Sequence, residues 1–292
     1  MYKALNYWVF GGFDAQKTPE EFIDFAAAQG LDGVELTFGD VLPRGVDGAD
    51  CDRIRAYAAR KNIGLRTLAT GCYWNCSLGS ADAAQRRAAV AFTREYLRTA
   101  ARLGAETVLV VPGATRVAWD ASVPVTGYRE VWENSTAALR EILPEAEDLG
   151  VNIALENVWG RFLLSPMEWK FYLEQFSSPR LGMYFDAGNC CLNGRPEDYP
   201  PLLGKKIFAL HLKNFRGADC GGGLSGFGED LLAGEVDFAA LFAALARAGY
   251  DGPYTVEMVP FCRLPDLRLP DAALAADCAD KLRRLESEYG RR

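Results

Sequence analysis

The stretch EDLGVNIALE, residues 147–156, holds the unit from which the fold is built. Its first half closes a segment of helical period on Gly150. Its second half is a short apolar run that ends on an acid, Glu156. Glycine suits the position where a helix must stop and the chain must turn into a strand. The same helix–Gly–strand junction recurs as AAAQGLDGVEL at 26–36, ARLGAETVLVV at 101–111 and ARAGYDGPYTVE at 246–257.

Working outward from these junctions, short β-branched runs alternate with longer helical segments along the whole chain. The strands predicted are 4–10, 33–38, 64–69, 107–111, 152–156, 181–186, 207–212 and 254–258. The helices predicted between them are 19–29, 49–61, 81–103, 128–149, 166–176, 197–203 and 238–248, with a last one after Pro270. Thr18-Pro19-Glu20-Glu21 and Ser165-Pro166-Met167-Glu168 each place a capping residue, a proline and then acid at a helix start. Eight βα units in 292 residues predict an α/β fold, a single-domain (β/α)8 TIM barrel, rather than an open doubly wound sheet. No Gly/Ser/Pro-rich linker divides the chain. The long loops, 39–48, 112–127 and 214–236, all follow strands, which is the catalytic side of such a barrel.

Composition narrows the chemistry. Hydrophobic residues at 49% and charged residues at 24% support a large core. The formal net charge of −7 provides no field to gather phosphates or anionic lipid, so neither a nucleic-acid nor a membrane partner is expected. No run approaches the roughly 18 consecutive apolar residues of a membrane span. The N-terminal MYKALNYWVFGGFD does not read as an export signal. The cysteines, Cys51, Cys72, Cys76, Cys190, Cys191, Cys220, Cys262 and Cys278, form no C-x-x-C pair. They are expected to be buried fillers of a reduced, cytoplasmic protein, with Cys72 and Cys76 near a site loop. There is one histidine, His211, so a His-rich metal cluster is excluded. GGGLSGFGED, at 221–230, is too irregular for a phosphate-binding or dinucleotide loop and reads as a mobile loop that closes over substrate.

Four successive strands finish on a metal-competent side chain: ALENVW on Glu156, MYFDAGN on Asp186, FALHLKN on His211 and YTVEMVP on Glu257. Their spacings of 30, 25 and 46 residues each leave room for one crossover helix. A lone acid at a strand end is ordinarily a solvated rim residue, and a lone His after FAL a satisfied core residue. All four at the same point of successive units converge on one patch of the barrel mouth. Burying three carboxylates there without a cation would be strongly repulsive. Three oxygens and one imidazole suit one divalent ion, with Mn²⁺ first and Mg²⁺, Co²⁺ and Zn²⁺ open. Asn189 reads either as an amide donor to substrate or as a turn residue after Gly188. Lys213 and Arg216 are candidates to hold a hydroxyl or phosphate, Arg216 being equally a solvated loop cation.

The stretches LDGVEL, ALENVWGRFLLSP, MYFDAGN, FALHLKN, GEVDF and GYDGPYTVE resemble the xylose-isomerase-like barrel superfamily of sugar and sugar-phosphate isomerases and epimerases. Within it, DAGN together with HLK is similar to ketose-phosphate 3-epimerases and hexulose-phosphate isomerases. Epimerases of free ketoses usually carry His at the place of Asn189, and a further Glu at that of Phe162. The resemblance implies that Glu156 and Glu257 are both metal ligands and the acid/base pair. One removes the proton beside the carbonyl and the other returns a proton to the opposite face, through a cis-enediolate. Asp186 and His211 would hold the metal only. Trp159, Trp8 and Trp74 would wall the sugar or serve as ordinary core, and Glu35 would hydrogen-bond the substrate or a metal ligand.

The function expected is therefore a divalent-metal-dependent epimerase or isomerase of a ketose or ketose phosphate, its partner a small carbohydrate. Dimers among similar proteins make a homodimer the assembly to test. A dehydratase of a keto-inositol or related keto-sugar, and a barrel that binds sugar without turning it over, are the alternatives. Apurinic-site endonucleases share the barrel but need several histidines and a basic groove, which one histidine and a charge of −7 do not supply.

Overall fold

The computed structural model describes residues 1–117, 120–217, 227, 230–258 and 270–290. Eight parallel strands close into a barrel in sequence order: β1 (Tyr2–Asn6), β2 (Gly33–Thr37), β3 (Thr67–Ala69), β4 (Thr107–Val110), β5 (Asn152–Glu156), β6 (Leu181–Asp186), β7 (Ile207–Leu212) and β8 (Pro253–Val256). The β1–β8 pairing of Leu5 with Val256 closes the ring. The helices are α1 (Tyr7–Gly11), α2 (Pro19–Ala28), α3 (Gly48–Arg60), α4 (Ala83–Leu103), α5 (Tyr128–Leu149), α6 (Pro166–Leu173), α7 (Ala187–Cys190), α8 (Pro200–Leu203), α9 (Phe238–Arg247) and α10 (Ala272–Tyr289). The architecture is the single (β/α)8 barrel predicted from the junctions.

Local chemistry sets the boundaries. Thr18 and Ser165 form capping boxes with Glu21 and Glu168, with Pro19 and Pro166 in the first turn. Gly150 ends α5 at φ 70°, a left-handed conformation that costs glycine little and lets the chain re-enter as β5. Aromatic stacking seats α4 on the sheet, with Phe38 after β2 lying 5.2 Å from the ring of Tyr96. Outside, Arg94–Glu141 at 3.1 Å and Arg98–Glu145 at 2.7 Å link α4 to α5. Such exposed pairs contribute well under about 1 kcal/mol each and set register more than stability.

Three predicted elements change. The run at 4–10 is not one strand: Asn6 ends β1 by accepting the Trp8 amide at 2.8 Å, and residues 7–11 turn into α1. Only 67–69 of the 64–69 run is strand, Gly64 making an isolated bridge to Gly33. The helix at 197–203 is broken into a 3-10 turn, Pro196–Asp198, and the short α8, because Pro196, Pro200 and Pro201 remove successive backbone donors. Among the described residues, no helix is long and apolar enough to cross a membrane.

Candidate metal centre and active site

Glu156 and Asp186 end β5 and β6, His211 lies one residue before the end of β7, and Glu257 follows β8 directly. Cross-strand register aligns them: Asp186 sits opposite His211, and the Glu257 amide donates to the Leu212 carbonyl at 3.1 Å. One ligand atom from each of the four residues lies within 4.8 Å of all the others. His211 Nδ1 is 3.8 Å from Glu156 Oε1, 3.9 Å from Asp186 Oδ2 and 3.5 Å from Glu257 Oε1. All four side chains are buried.

The donor set fits one divalent ion. His211 Nδ1 and Asp186 Oδ2 are both buried without a hydrogen-bond partner among the described residues. Lys213 Nζ stands 2.9 Å from that Asp186 oxygen but out of hydrogen-bond alignment. Buried polar atoms are almost always satisfied, so two orphans facing each other among three carboxylates form a place that could hold a cation.

Behind the tetrad, Glu35 on β2 fixes the imidazole. His211 Nε2 is 2.6 Å from Glu35 Oε1, to which Asn6 Nδ2 also donates at 2.7 Å, while Tyr184 on β6 donates its hydroxyl to Oε2. Glu35, Asn6 and His211 are wholly buried. This carboxylate–imidazole pairing holds the ring so that Nδ1 faces Glu156, Asp186 and Glu257.

The electrostatics follow from burial. Burial pushes the Glu156 carboxyl up to about 7, helped by the charges of Glu257 and Asp186 against the lowering effect of His211 and Lys213. Burial also raises Asp186, against the opposing pull of Lys213. For His211 burial acts downward, but the carboxylates of Glu257 and Glu35 overcome it and hold the imidazolium well above its ordinary range. Glu35 is the reverse case: burial acts upward, and His211 outweighs it to keep the carboxyl below its usual value.

These shifts have a definite sign. Glu156, Asp186 and His211 all have folded values above their unfolded ones, so the metal-free fold binds extra protons. Their contribution to stability is full below the ordinary values of 3.8 for Asp186, 4.5 for Glu156 and 6.5 for His211, and is lost as pH rises through their raised folded values, about 7 for Glu156. Glu35, held low, acts with the opposite sign and only below about 4.5. Cation binding displaces those protons and should grow stronger over the same range. The melting temperature of chelator-treated protein is therefore expected to fall between pH 5 and 8. Mn²⁺ at one fixed concentration, a hundredfold above its dissociation constant at pH 8, should restore about 2.7 kcal/mol at pH 8 and much less at pH 5. Thermal melts with and without Mn²⁺ at both pH values check this; equal Mn²⁺ shifts, or none, would dismiss the site.

A cavity of about 490 Å³ opens above the tetrad, with Glu156, Glu257, Asn189 and Lys213 exposed to it and Trp8, Trp74, Trp159 and Phe227 among its walls. Each residue singled out from sequence can now be placed. Trp8 donates to Asp40 Oδ2 at 2.9 Å. Trp159 packs on Phe215 and Phe227, and its buried Nε1 has no hydrogen-bond partner among the described residues. Asn189 lies in α7, capped by Asp186, and its amide donates to Asn157 O at 2.9 Å and Glu156 Oε1 at 3.3 Å. Lys213, apart from its approach to Asp186, bonds to Glu257 and lies 5.2 Å from the Phe227 ring centre. Arg216 is exposed and outside the cavity lining. Glu35 reaches His211 and is not among the residues lining the cavity.

Cys72 and Cys76 are half-buried, and burial raises both thiols, Cys76 to about 11, which suits packing and not nucleophilic chemistry. The loop predicted at 221–230 lies outside the described residues except for Phe227 and Asp230. Sequence reasoning missed Asn6, Tyr184, Asn157 and Asp40. Tyr184 stands two residues before Asp186, and strand alternation places such a pair on one face.

Residues 23–285 match the family described as Xylose isomerase-like TIM barrel. An uncharacterized protein of Methanocaldococcus jannaschii is 29% identical over 180 residues, 59% of this chain and 57% of its own length. A ketose 3-epimerase of Arthrobacter globiformis is 33% identical over 132 residues, 42% of this chain and 40% of its own length. These matches thus span well under two thirds of either relative. The solved D-psicose 3-epimerase of Clostridium cellulolyticum H10 with D-tagatose superposes with a TM-score of 0.79 at 18% identity, covering 99% of each chain. A carboxylate-rich centre at the mouth of a closed eight-stranded barrel, and a family match across nearly its whole length, show that this chain belongs to the xylose isomerase-like TIM barrel family.

Proposed function

We propose that the protein is a divalent-metal-dependent epimerase of a ketose, inverting the carbon beside the carbonyl. The observation that carries this reading is the pair of buried glutamates, Glu156 and Glu257, both facing the cavity and both within 4 Å of His211 Nδ1. Similarity to a ketose 3-epimerase and to solved D-psicose 3-epimerases supports the substrate class. When bound, the cation would neutralise the negative charge that develops on the substrate oxygen as the proton leaves. Three oxygens and one imidazole suit Mn²⁺.

The protein's own groups do the rest. Glu156 and Glu257 come from β5 and β8, so one carboxylate takes the proton from one face and the other delivers a proton to the opposite face. A carboxyl raised by burial to about 7 is well matched to proton transfer near neutral pH. Asn189 orients Glu156, and Lys213 orients Glu257. The intermediate is an enediolate of the sugar. We take the ketose as unphosphorylated: the one cation among the described lining residues, Lys213, is already engaged by Asp186 and Glu257. A reducing, cytoplasmic setting accords with the six free thiols among the described residues. A homodimer is the assembly proposed, to be read by light scattering.

The test is incubation of the Mn²⁺-loaded protein with a panel of ketohexoses and ketopentoses in D₂O. One deuterium on the carbon beside the carbonyl, with the inverted epimer accumulating, is the expected result. An absorbing, dehydrated product would make the protein a dehydratase. Sugar binding without exchange would make it a non-catalytic barrel.

A further inference from the structure

A second cavity, of about 410 Å³, opens beside the first, and Trp74, Asn75 and Val111 line both. The two are compartments of one cleft that runs from the tetrad across the ends of β3 and β4. The first, at about 490 Å³, lies within the range of a single small-molecule site and carries Glu156 and Glu257, whereas none of the four tetrad residues lines the second.

The second compartment is a built feature. The segment after β4 is pinned by hydrogen bonds from the Thr126 amide to Thr115 O at 3.0 Å and from the Thr115 amide to Gly160 O at 2.8 Å. The Ser122 amide is held by Asp120 Oδ1 at 2.9 Å. Gly113 brings this segment against the one after β3: a Cβ there would fall 2.8 Å from Val131 Cγ1 and 3.1 Å from Gly79 Cα. Its lining carries a cluster of small polar side chains away from the four carboxylate and imidazole groups. Ser77, Ser80, Gln85, Ser122 and Thr126 supply hydroxyls and an amide that both donate and accept. Arg116 adds an exposed guanidinium that makes no ion pair among the described residues. Polar groups of this type beside an indole, here Trp74, match a sugar ring with its hydroxyl edge and apolar face.

We propose that this second cavity is a subsite for a second sugar unit, so that the substrate is an O-glycosylated ketose. The proposal rests on the epimerase reading of the tetrad. The ketose unit, with its carbonyl free, lies over Glu156 and Glu257, the glycosyl unit lies between the segments after β3 and β4, and Trp74 borders both.

Binding tests this apart from turnover. Calorimetry on Mn²⁺-loaded Glu257→Gln protein compares a ketohexose with its glucosylated forms at O4, O5 and O6. At least one disaccharide should bind tenfold or more tightly than the ketohexose. Ser122→Trp, which fills the second cavity, and Arg116→Ala, which empties it of its cation, should each reduce that preference. Disaccharides that all bind no better than the ketohexose overturn the subsite, as does a preference both variants retain in full. Deuterium exchange by the unsubstituted protein separates the two readings. Exchange into the ketohexose without disaccharide preference leaves the epimerase standing and removes the subsite. Tight disaccharide binding without exchange into any sugar of the panel keeps the subsite and removes the epimerase.

Discussion

Glu257→Gln is expected to lower epimerisation about 10³-fold in kcat, the usual weight of a positioned proton-transfer group. It should not silence exchange altogether. With Glu156 intact, the epimer whose proton faces Glu156 still exchanges that proton with D₂O, although no inverted product follows. Glu156→Gln should give the mirror image, with exchange confined to the other epimer. Glutamine keeps one oxygen for the cation but loses the negative charge and the capacity to carry a proton, so Mn²⁺ content measured alongside separates lost chemistry from lost metal. The two variants together are more telling than either alone. A one-base mechanism, in which a single carboxylate serves both faces, predicts one variant dead towards both epimers and the other nearly normal. That pattern would dismiss the two-glutamate assignment.

The sequence made the tetrad legible because each of its residues lies at a strand's end or within one residue of it, and strand ends can be counted from the helix–Gly–strand junctions. The closed barrel followed from the same count. What it did not show is what lies one layer deeper. Glu35 lies in the middle of β2, and its bonds to His211, Asn6 and Tyr184 join residues up to 176 positions apart and require the barrel to be closed. Lys213 illustrates a different limit. From sequence it is a cation at the substrate, whereas in the structure its ammonium is engaged by Asp186 and Glu257. Pattern places a charge at the mouth but not which neighbours saturate it. The aromatic run YWVF after Asn6 looks like more strand, because propensity carries no signal that the Asn6 side chain will cap a turn of helix.

The depth of Glu35 carries the second large expectation. Glu35→Leu removes the partner of His211 Nε2 and strands the Asn6 amide and the Tyr184 hydroxyl, all at buried positions. Breaking a buried charged pair by deleting one member costs about 3–5 kcal/mol. Losing the group that orients a liganding imidazole lowers metal affinity about 10–100-fold. Glu35→Gln should recover much of the geometry, since its carbonyl can still accept from Nε2–H. The expected order of Mn²⁺ affinity is therefore Glu35, then Gln, then Leu. A purely structural role would produce the stability loss alone. Orientation and charge together produce a further signature: Glu35 is one of the two carboxylates that raise His211, and without it protons compete less for Nδ1. In both variants the pH at which Mn²⁺ affinity falls away should move down, even though the affinity reached at high pH is weaker. Calorimetric titration with Mn²⁺ across pH 5.5–8.5 reads both quantities. Wild-type affinity in Glu35→Leu, or an unmoved pH midpoint, would confine Glu35 to packing.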